Sequence, residues 1–83
     1  MQPVDPRLAK AIAACVRERR VRQGWRQVEL ASRARVDRPV LSRLERGEHV
    51  PSLQTLQNIV RPMRTTLSRL FADVERQLRR RTT

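Results

Sequence analysis

The chain has 83 residues and a formal net charge of +11, with 19 basic residues against eight acidic ones. A chain of this length forms a single domain with a modest core, and such small domains often gain stability by oligomerising. Trp25 and Phe71 are the only aromatic residues, and runs of β-branched residues with period-two alternation are absent. This composition argues against a sheet and favours a helical domain with an aliphatic core.

The excess of basic residues predicts a polyanionic partner, most often a nucleic acid. Nearly all of these basic residues are Arg, and codon usage in a G+C-rich genome would also favour Arg over Lys. Codon usage does not explain why the chain has so few acidic residues. The charge therefore remains an argument for a nucleic-acid partner.

The sequence lacks the signatures of several protein classes. Cys15 is the single cysteine, which rules out an internal disulfide, and its place on an apolar helical face indicates a buried structural residue. No apolar run approaches the ~18 residues of a membrane span, and the N-terminus MQPVDPRLAK lacks the apolar region of a signal peptide. No metal-ligand cluster, Gly-rich phosphate loop or Ser/His/Asp spacing is present. We expect a cytoplasmic protein that is not an enzyme and has no metal or other cofactor.

The first predicted helix follows a flexible N-terminus over residues 1–5. Asp5 is the expected N-cap, and Pro6 occupies the first helical position, where its missing N–H costs nothing. The helix should end just before Gly24, which caps it. Trp25 then packs at the corner, more as a core residue than as a stacking platform. The apolar face of this helix consists of Leu8, Ala11, Ile12, Cys15 and Val16.

The stretch from Gln27 to Ser52 has the pattern of two short amphipathic helices joined by a tight turn. The first of these helices should run from Arg26 or Gln27 to about Arg33, and the second from about Arg38 to Glu45 or Arg46, with Asp37 capping the second one and Gly47 ending it. Two short helices that cross over a small apolar centre make a helix-turn-helix, whose second helix can enter a DNA major groove. The apolar residues of this unit are Leu30, Ala31, Ala34, Val36, Leu41 and Leu44.

Two further helices should follow. Ser52 is the expected N-cap of the fourth helix, which Pro62 ends or bends, and a fifth helix should begin at Thr65 or Thr66. The buried stripe of the fourth helix is predicted to be Leu53, Leu56, Ile59 and Val60.

The fifth helix, over residues 66–78, is predicted to be a dimerisation helix. Its apolar stripe consists of Leu67, Leu70, Phe71, Val74 and Leu78. Val74 and Leu78 have no obvious partner within so small a chain, and we therefore expect the stripe to form a homodimer interface. The alternative is a helix that folds back onto its own domain. Residues 79–83 should form a frayed basic tail.

The order of these elements and the segment LERGEHVPS resemble the XRE family, the helix-turn-helix proteins of the Cro and phage-repressor type. The resemblance extends roughly from Ile12 to Phe71. It implies an all-α, compact five-helix repressor-type domain over residues 6–78 with an extended C-terminal helix. The length and last helix look most like restriction–modification controller proteins or small antitoxin-type repressors. The matching residues are Arg20, Gly24, Gln27, Leu30, Ala31, Glu45, Gly47, Pro51 and Ser52.

Two positions depart from the family pattern. Arg35 stands where the family turn usually has Gly, and a left-handed backbone there would strain an Arg by ~1 kcal/mol or more. Pro39 lies in the predicted recognition helix and removes a side chain that the family often uses to contact bases.

The resemblance implies three sets of functional residues. Two Arg residues lie in the base-reading set, which favours G·C pairs because an Arg can bond guanine O6 and N7 with two donors. The base-reading set is Arg38, Pro39, Val40 and Arg43. The DNA phosphate set is Gln27, Arg26, Ser42 and Arg46. The third set is an internal ion pair between Arg20 and Glu45, which would orient the recognition helix.

These features together predict a sequence-specific regulator of transcription that binds double-stranded DNA. It would act as a repressor or autoregulator and bind a near-palindromic operator as a homodimer. The alternative is an antitoxin-type DNA-binding protein whose C-terminal helix binds a toxin. RNA polymerase and a toxin are thus the further partners that these interpretations allow, and no membrane partner is expected.

Overall fold

The computed structural model describes residues 5–81, and within them it contains α-helices and turns but no β-strand. The expectation of a helical domain is confirmed. The expected flexibility of residues 1–5 lies outside the described residues except at Asp5. The helices are α1 (Pro6–Arg22), α2 (Gln27–Ala34), α3 (Arg38–Glu45), α4 (Leu53–Val60) and α5 (Leu67–Arg81).

Side-chain caps define the start of three helices, and those at Asp5 and Ser52 were predicted. A carboxylate oxygen of Asp5 accepts a hydrogen bond from the backbone N–H of Arg7 at 2.9 Å. The hydroxyl of Ser52 accepts from the N–H of Thr55 at 3.1 Å, at the start of α4. Thr66 does the same for α5, where its Oγ1 accepts from a backbone N–H at 3.2 Å. Each cap satisfies a donor that the first helical turn leaves without an internal partner.

The prediction that the Asp37 side chain caps α3 is wrong. Asp37 occupies the N-cap position, but its carboxylate accepts no capping hydrogen bond. Pro39, at the second helical position, has no N–H to donate. The N–H of Val40, at the third position, donates to the backbone carbonyl of Asp37 at 3.0 Å. The two donors that a capping side chain normally bonds are therefore absent or already engaged.

The core is aliphatic, as the composition indicated. Helix α1 packs against α3 and α5, and α2 packs against α3 and α4. Trp25 is partly buried against this core, and Cys15 is fully enclosed by it. Burial raises the pKa of the Cys15 thiol, which favours the protonated, unreactive form. The largest fully buried side chains are Leu30, Leu41, Leu44, Leu56, Ile59, Leu70 and Val16.

Helix α5 folds back along α1. This arrangement was the alternative to the prediction that its apolar stripe lacks a partner within the chain. Leu70 and Val74 are 0% and 3% exposed within a single chain, so the expectation that Val74 lacks an internal partner is wrong. Polar contacts accompany this packing, since the Arg19 guanidinium on α1 donates to the Asp73 carboxylate on α5. The helix also continues to Arg81, so residues 79–81 are helical where a frayed tail was expected.

Leu53 is 65% exposed, which contradicts its assignment to the buried stripe of α4. The other members of that stripe are buried as predicted. Leu53 shares their helical face but lies in the first turn of α4. Its periodicity is therefore correct, but no element within residues 5–81 covers this end of the helix.

Two arginines adopt the left-handed backbone conformation that favours glycine. Arg35 ends α2 with φ 56° and ψ 44°. The backbone at this position is therefore left-handed, as it would be for the Gly that the family usually has there. Arg64, in the turn between α4 and α5, has φ 55°. An L-residue in this region is strained by roughly 1–2 kcal/mol.

Replacing either Arg35 or Arg64 with Gly should raise the free energy of unfolding by about 0.5–1 kcal/mol. Gly removes the backbone strain, although the greater freedom of Gly in the unfolded chain offsets part of the gain. Urea unfolding followed by far-ultraviolet circular dichroism measures both variants. A less stable variant would show that the Arg side chain makes a contact worth more than the strain.

Candidate nucleic-acid interface

Helix α3 has one face locked into the core and the opposite face open. Leu41 and Leu44 are both 0% exposed and hold the helix against α1 and α2. At about 100° per residue, the positions from Arg38 to Arg46 that face away from these leucines fall within an arc of roughly 140°. The members of this open arc are Arg38, Pro39, Ser42, Arg43 and Arg46.

Arg38 and Arg43 present unengaged guanidinium groups on this arc. Both side chains are exposed. Within the described part of the chain, neither forms a hydrogen bond or an ion pair. Pro39 is also exposed, whereas Val40 is half-buried and lies at the margin between the open arc and the core. Two arginines and a proline ring are thus the side chains of the base-reading set that are most available to a ligand.

A largely buried ion pair ties the C-terminal end of α3 to α1. The Arg20 guanidinium contacts both carboxylate oxygens of Glu45, with Nε to Oε2 at 2.8 Å and a terminal nitrogen to Oε1 at 3.0 Å. A second terminal nitrogen of Arg20 donates to the Trp25 carbonyl at 2.7 Å. The Glu45 side chain is 3% exposed and that of Arg20 is 13% exposed. This paired geometry holds the orientation of α3 relative to α1.

Gln27 connects this ion pair to the start of α2. Its Nε2 donates to Glu45 Oε1 at 3.0 Å, so the residue braces α3. A carboxamide nitrogen carries two hydrogens, and the second remains available as a donor. The first backbone N–H groups of α2 also precede the first internal helical bond, and the helix dipole makes this end favourable for an anion. Gln27 can therefore serve both the brace and a phosphate.

Arg26 and Arg46, from the predicted phosphate set, are already engaged by exposed acids. Arg26 Nε donates to Glu29 at 3.2 Å, and the hydrogen bond from the Arg26 backbone N–H lowers the pKa of that carboxyl. Arg46 donates to Glu48 and to the Ser42 hydroxyl, the latter at 2.7 Å. The two Arg side chains are 82% and 57% exposed, so a phosphate would compete with solvated and weak ion pairs.

The sequence profile of the helix-turn-helix family matches residues 16–70, which include the complete α2–turn–α3 unit and its ion pair. The chain is a helix-turn-helix protein of the HTH_3 family. This family comprises DNA-binding regulators of transcription of the XRE type, so the resemblance stated from the sequence is confirmed.

Individual relatives are consistent with this assignment. The chain is 40% identical over 60 residues to the HTH-type transcriptional regulator DdrOP3 of Deinococcus deserti, an alignment that covers 72% of this chain. The alignment covers 46% of DdrOP3, so the chain spans about half the length of this relative.

Solved structures share the fold. The clp gene regulator ClgR from Corynebacterium glutamicum is 26% identical, with a TM-score of 0.81, 94% of this chain covered and 99% of ClgR. A variant of the restriction–modification controller protein C.Esp1396I is 18% identical, with a TM-score of 0.77, 86% of this chain covered and 95% of the controller. The second likeness shows a common fold alone.

Two features of this helix-turn-helix escaped the sequence reasoning. The Arg33 guanidinium lies over the Trp25 ring, with Cζ 4.5 Å from the ring centroid, although Trp25 was expected to be mainly a core residue. The C-terminal ends of α2 and α4 also bring Arg33, Arg35 and Arg61 around one cleft. Neither arrangement has a local sequence signal, because both depend on how separate parts of the chain pack together.

The described residues contain no candidate metal site and no membrane-spanning helix. No group of three or more His, Cys, Asp or Glu side chains that could hold a metal ion occurs in them. His49 is half-buried in the loop after α3. Over residues 5–81, no helix is both long and apolar enough to cross a bilayer.

Proposed function

We propose that this chain is a cytoplasmic, sequence-specific regulator that binds double-stranded DNA as a homodimer and acts as a repressor or autoregulator. The observation that carries the proposal is the open arc of α3. Over residues 5–81, the side chains of Arg38 and Arg43 extend from it without a hydrogen-bond or ion-pair partner, while Leu41 and Leu44 lock the opposite face. A rigid helix with free, fork-shaped donors on one side suits the direct readout of base edges.

The two kinds of contact would have separate roles. Arg38 and Arg43 would each bond O6 and N7 of a guanine, which supplies preference for G·C pairs. Gln27 and the N-terminus of α2 would bond the phosphate backbone and set the register of α3 in the groove. The net charge of +11 would add affinity that is independent of sequence and that weakens steeply with salt. The names of the relatives support the same class of function, since DdrOP3 is a transcriptional regulator and ClgR is a clp gene regulator.

The outer edge of α5 is the surface that we propose for the dimer. Leu70 and Val74, two members of the predicted interface, are already buried against the same chain. Leu67, Phe71 and Leu78 pack only partly against the core and remain half-exposed. These three fall within about 40° of one another around α5, at one margin of its apolar arc. A second copy of the chain could cover this edge without disturbing the core.

Leu78→Lys should weaken the association of two protomers at least tenfold, so that the variant is mainly monomeric. Leu78 lies near the end of α5, where a Lys can extend its charged group to solvent in a folded monomer. Sedimentation velocity measures the assembly, and Ala72→Lys is the control because Ala72 lies about 140° away from Leu67 around the helix. Leu70→Asp is unsuitable because Leu70 is 0% exposed and the variant would unfold. An unchanged dimer for Leu78→Lys would refute the proposed edge.

The antitoxin alternative receives no support from the packing of α5. That alternative requires the last helix to offer its apolar face to a toxin. In the structure, the centre of that face at Leu70 and Val74 is buried in the core of the same chain, where α5 packs against α1 and α4.

Selection of bound sequences from a pool of random duplexes tests the proposal. We expect an enriched near-palindrome whose half-sites lie about one helical turn, ~34 Å, apart. Enrichment of no sequence, or of a site without two-fold symmetry, would defeat the proposed function.

A further inference from the structure

An arginine-lined cleft lies where α2 and α4 end. It has a volume of about 500 Å³ and a lining that contains three guanidinium-bearing residues and no carboxylate. We call it the arginine cleft. Its lining residues are Arg33, Ala34, Arg35, Asn58, Arg61 and Pro62.

The charges of the arginine cleft are not neutralised within the described part of the chain. None of its three arginines forms an ion pair there. Glu29 lies one turn before Arg33 and its carboxylate feels the Arg33 charge, but it forms its ion pair and hydrogen bonds with Arg26. Asp37, two residues after Arg35, is exposed and forms no ion pair. Three like charges that share one concave surface repel one another, and an anion bound among them would relieve that repulsion.

Two side chains of the cleft are held in place before any ligand binds. The Trp25 ring supports the Arg33 guanidinium at 4.5 Å, which limits the freedom of that cation. The Oδ1 of Asn58 accepts a hydrogen bond from Gln54 Nε2 at 3.0 Å, which leaves the Asn58 amide nitrogen as a donor. A site with held donors loses less conformational entropy when it binds.

Arg35 lines the arginine cleft while its backbone adopts a strained, left-handed conformation. Its φ of 56° is one that glycine would adopt without cost. Strain alone does not distinguish Arg35, because Arg64 has nearly the same φ of 55° and does not line the cleft. The difference is that the Arg35 side chain joins two other cations around a concave surface. Arg64 is therefore a matched control for backbone and charge.

The carbonyl ends of α2 and α4 oppose an anion but do not outweigh the arginines. Each helix C-terminus carries about half a negative charge, against three full positive charges in the cleft. The last carbonyls also have partners: Ala31 accepts from the Val36 N–H at 3.0 Å, and Val60 accepts from Met63 and Thr65. The cleft is thus electropositive overall.

We propose that the arginine cleft binds phosphoryl groups. Planar guanidinium forks match the oxygens of a phosphoryl group, and the amide nitrogen of Asn58 adds a further donor. The group could belong to the DNA backbone or to a free phosphorylated molecule. Arg35 precedes Arg38 by three residues, so their Cα atoms are at most about 11 Å apart. The DNA source rests on the proposed function, whereas the free-phosphate source does not.

The DNA arm of the test compares Arg35→Gly with Arg64→Gly on a duplex of random sequence. Both variants lose one positive charge and relieve the same backbone strain. We expect Arg35→Gly to reduce the dependence of log affinity on log salt by about one, because one phosphate contact is lost. Arg64→Gly should keep the wild-type dependence.

The free-phosphate arm uses inorganic tripolyphosphate and the fluorescence of Trp25, the single tryptophan of the chain. Because Arg33 stacks on that ring, a ligand that engages Arg33 should change its emission. We expect saturable titrations for the wild type and for Arg64→Gly, and at least tenfold weaker binding for Arg35→Gly.

The outcomes separate the two sources. A reduced salt dependence for Arg35→Gly assigns the cleft to the DNA backbone, and a lost fluorescence titration alone assigns it to a free phosphorylated molecule. If Arg35→Gly and Arg64→Gly behave alike in both arms, the proposal is overturned. Failure of the wild type to select a DNA sequence would defeat the proposed function but leave the fluorescence arm able to judge the cleft.

Discussion

Glu45→Ala should lower the free energy of unfolding by about 3–5 kcal/mol, because it leaves the Arg20 guanidinium buried without its counter-charge. The Glu45 side chain is 3% exposed, and its two oxygens accept from Arg20 and Gln27. The loss therefore combines an uncompensated cation with the loss of an amide partner. Thermal and urea unfolding measure the change.

The controls for Glu45→Ala separate burial from charge. Glu48→Ala removes an exposed carboxylate that also contacts an Arg, and it should change stability by no more than about 0.5 kcal/mol. The pair Arg20→Ala and Glu45→Ala, alone and combined, completes a double-mutant cycle that should show strong coupling. A Glu45→Ala variant as stable as the wild type would contradict the structural role of the pair.

Arg43→Ala should weaken binding to the selected operator by about 1–3 kcal/mol and relax the base preference at one position of each half-site. The Arg43 side chain is exposed and makes no hydrogen bond or ion pair within the described residues, so the folded state should keep its stability. Arg38→Ala should act in the same way at a different position. Competition between operators with single base changes measures both effects.

Arg17→Ala is the charge-matched control for Arg43→Ala. Arg17 is exposed on α1, outside the helix-turn-helix unit, and its replacement removes the same charge. It should leave base preference unchanged and weaken binding only slightly. If Arg43→Ala lowers affinity equally for all sequences, Arg43 contacts a phosphate and the base-reading assignment is wrong.

The sequence was sufficient for features that depend on neighbours along the chain. The caps at Asp5 and Ser52 follow from side-chain oxygens placed just before a helical pattern. Leu41 and Leu44 were predicted to face inward from their spacing of three, and both are fully buried. The Arg20–Glu45 pair joins two helices that are distant in the chain. It was predicted from the family resemblance and not from the spacing of the residues.

The failures have two physical causes, one in the local backbone and one in the tertiary packing. Asp37 was expected to cap α3, but Pro39 removes one donor and the backbone takes the other. Leu53 has the correct periodicity, yet none of the described elements covers the first turn of α4. A hydrophobic stripe states which face prefers burial, and it does not state which element lies opposite.

The sequence alone determined the helical class, the place of the helix-turn-helix and the basic character of the chain, because helix periodicity, caps and net charge are local or summed properties. The tertiary structure decided what each apolar face contacts and which charges meet. It buried Leu70 and Val74 in the core of the chain and left Leu67, Phe71 and Leu78 half-exposed at the outer edge of α5. It also brought Arg33 and Arg35 to the same cleft as Arg61. Such contacts depend on the crossing of helices distant in the chain, which residue spacing does not encode.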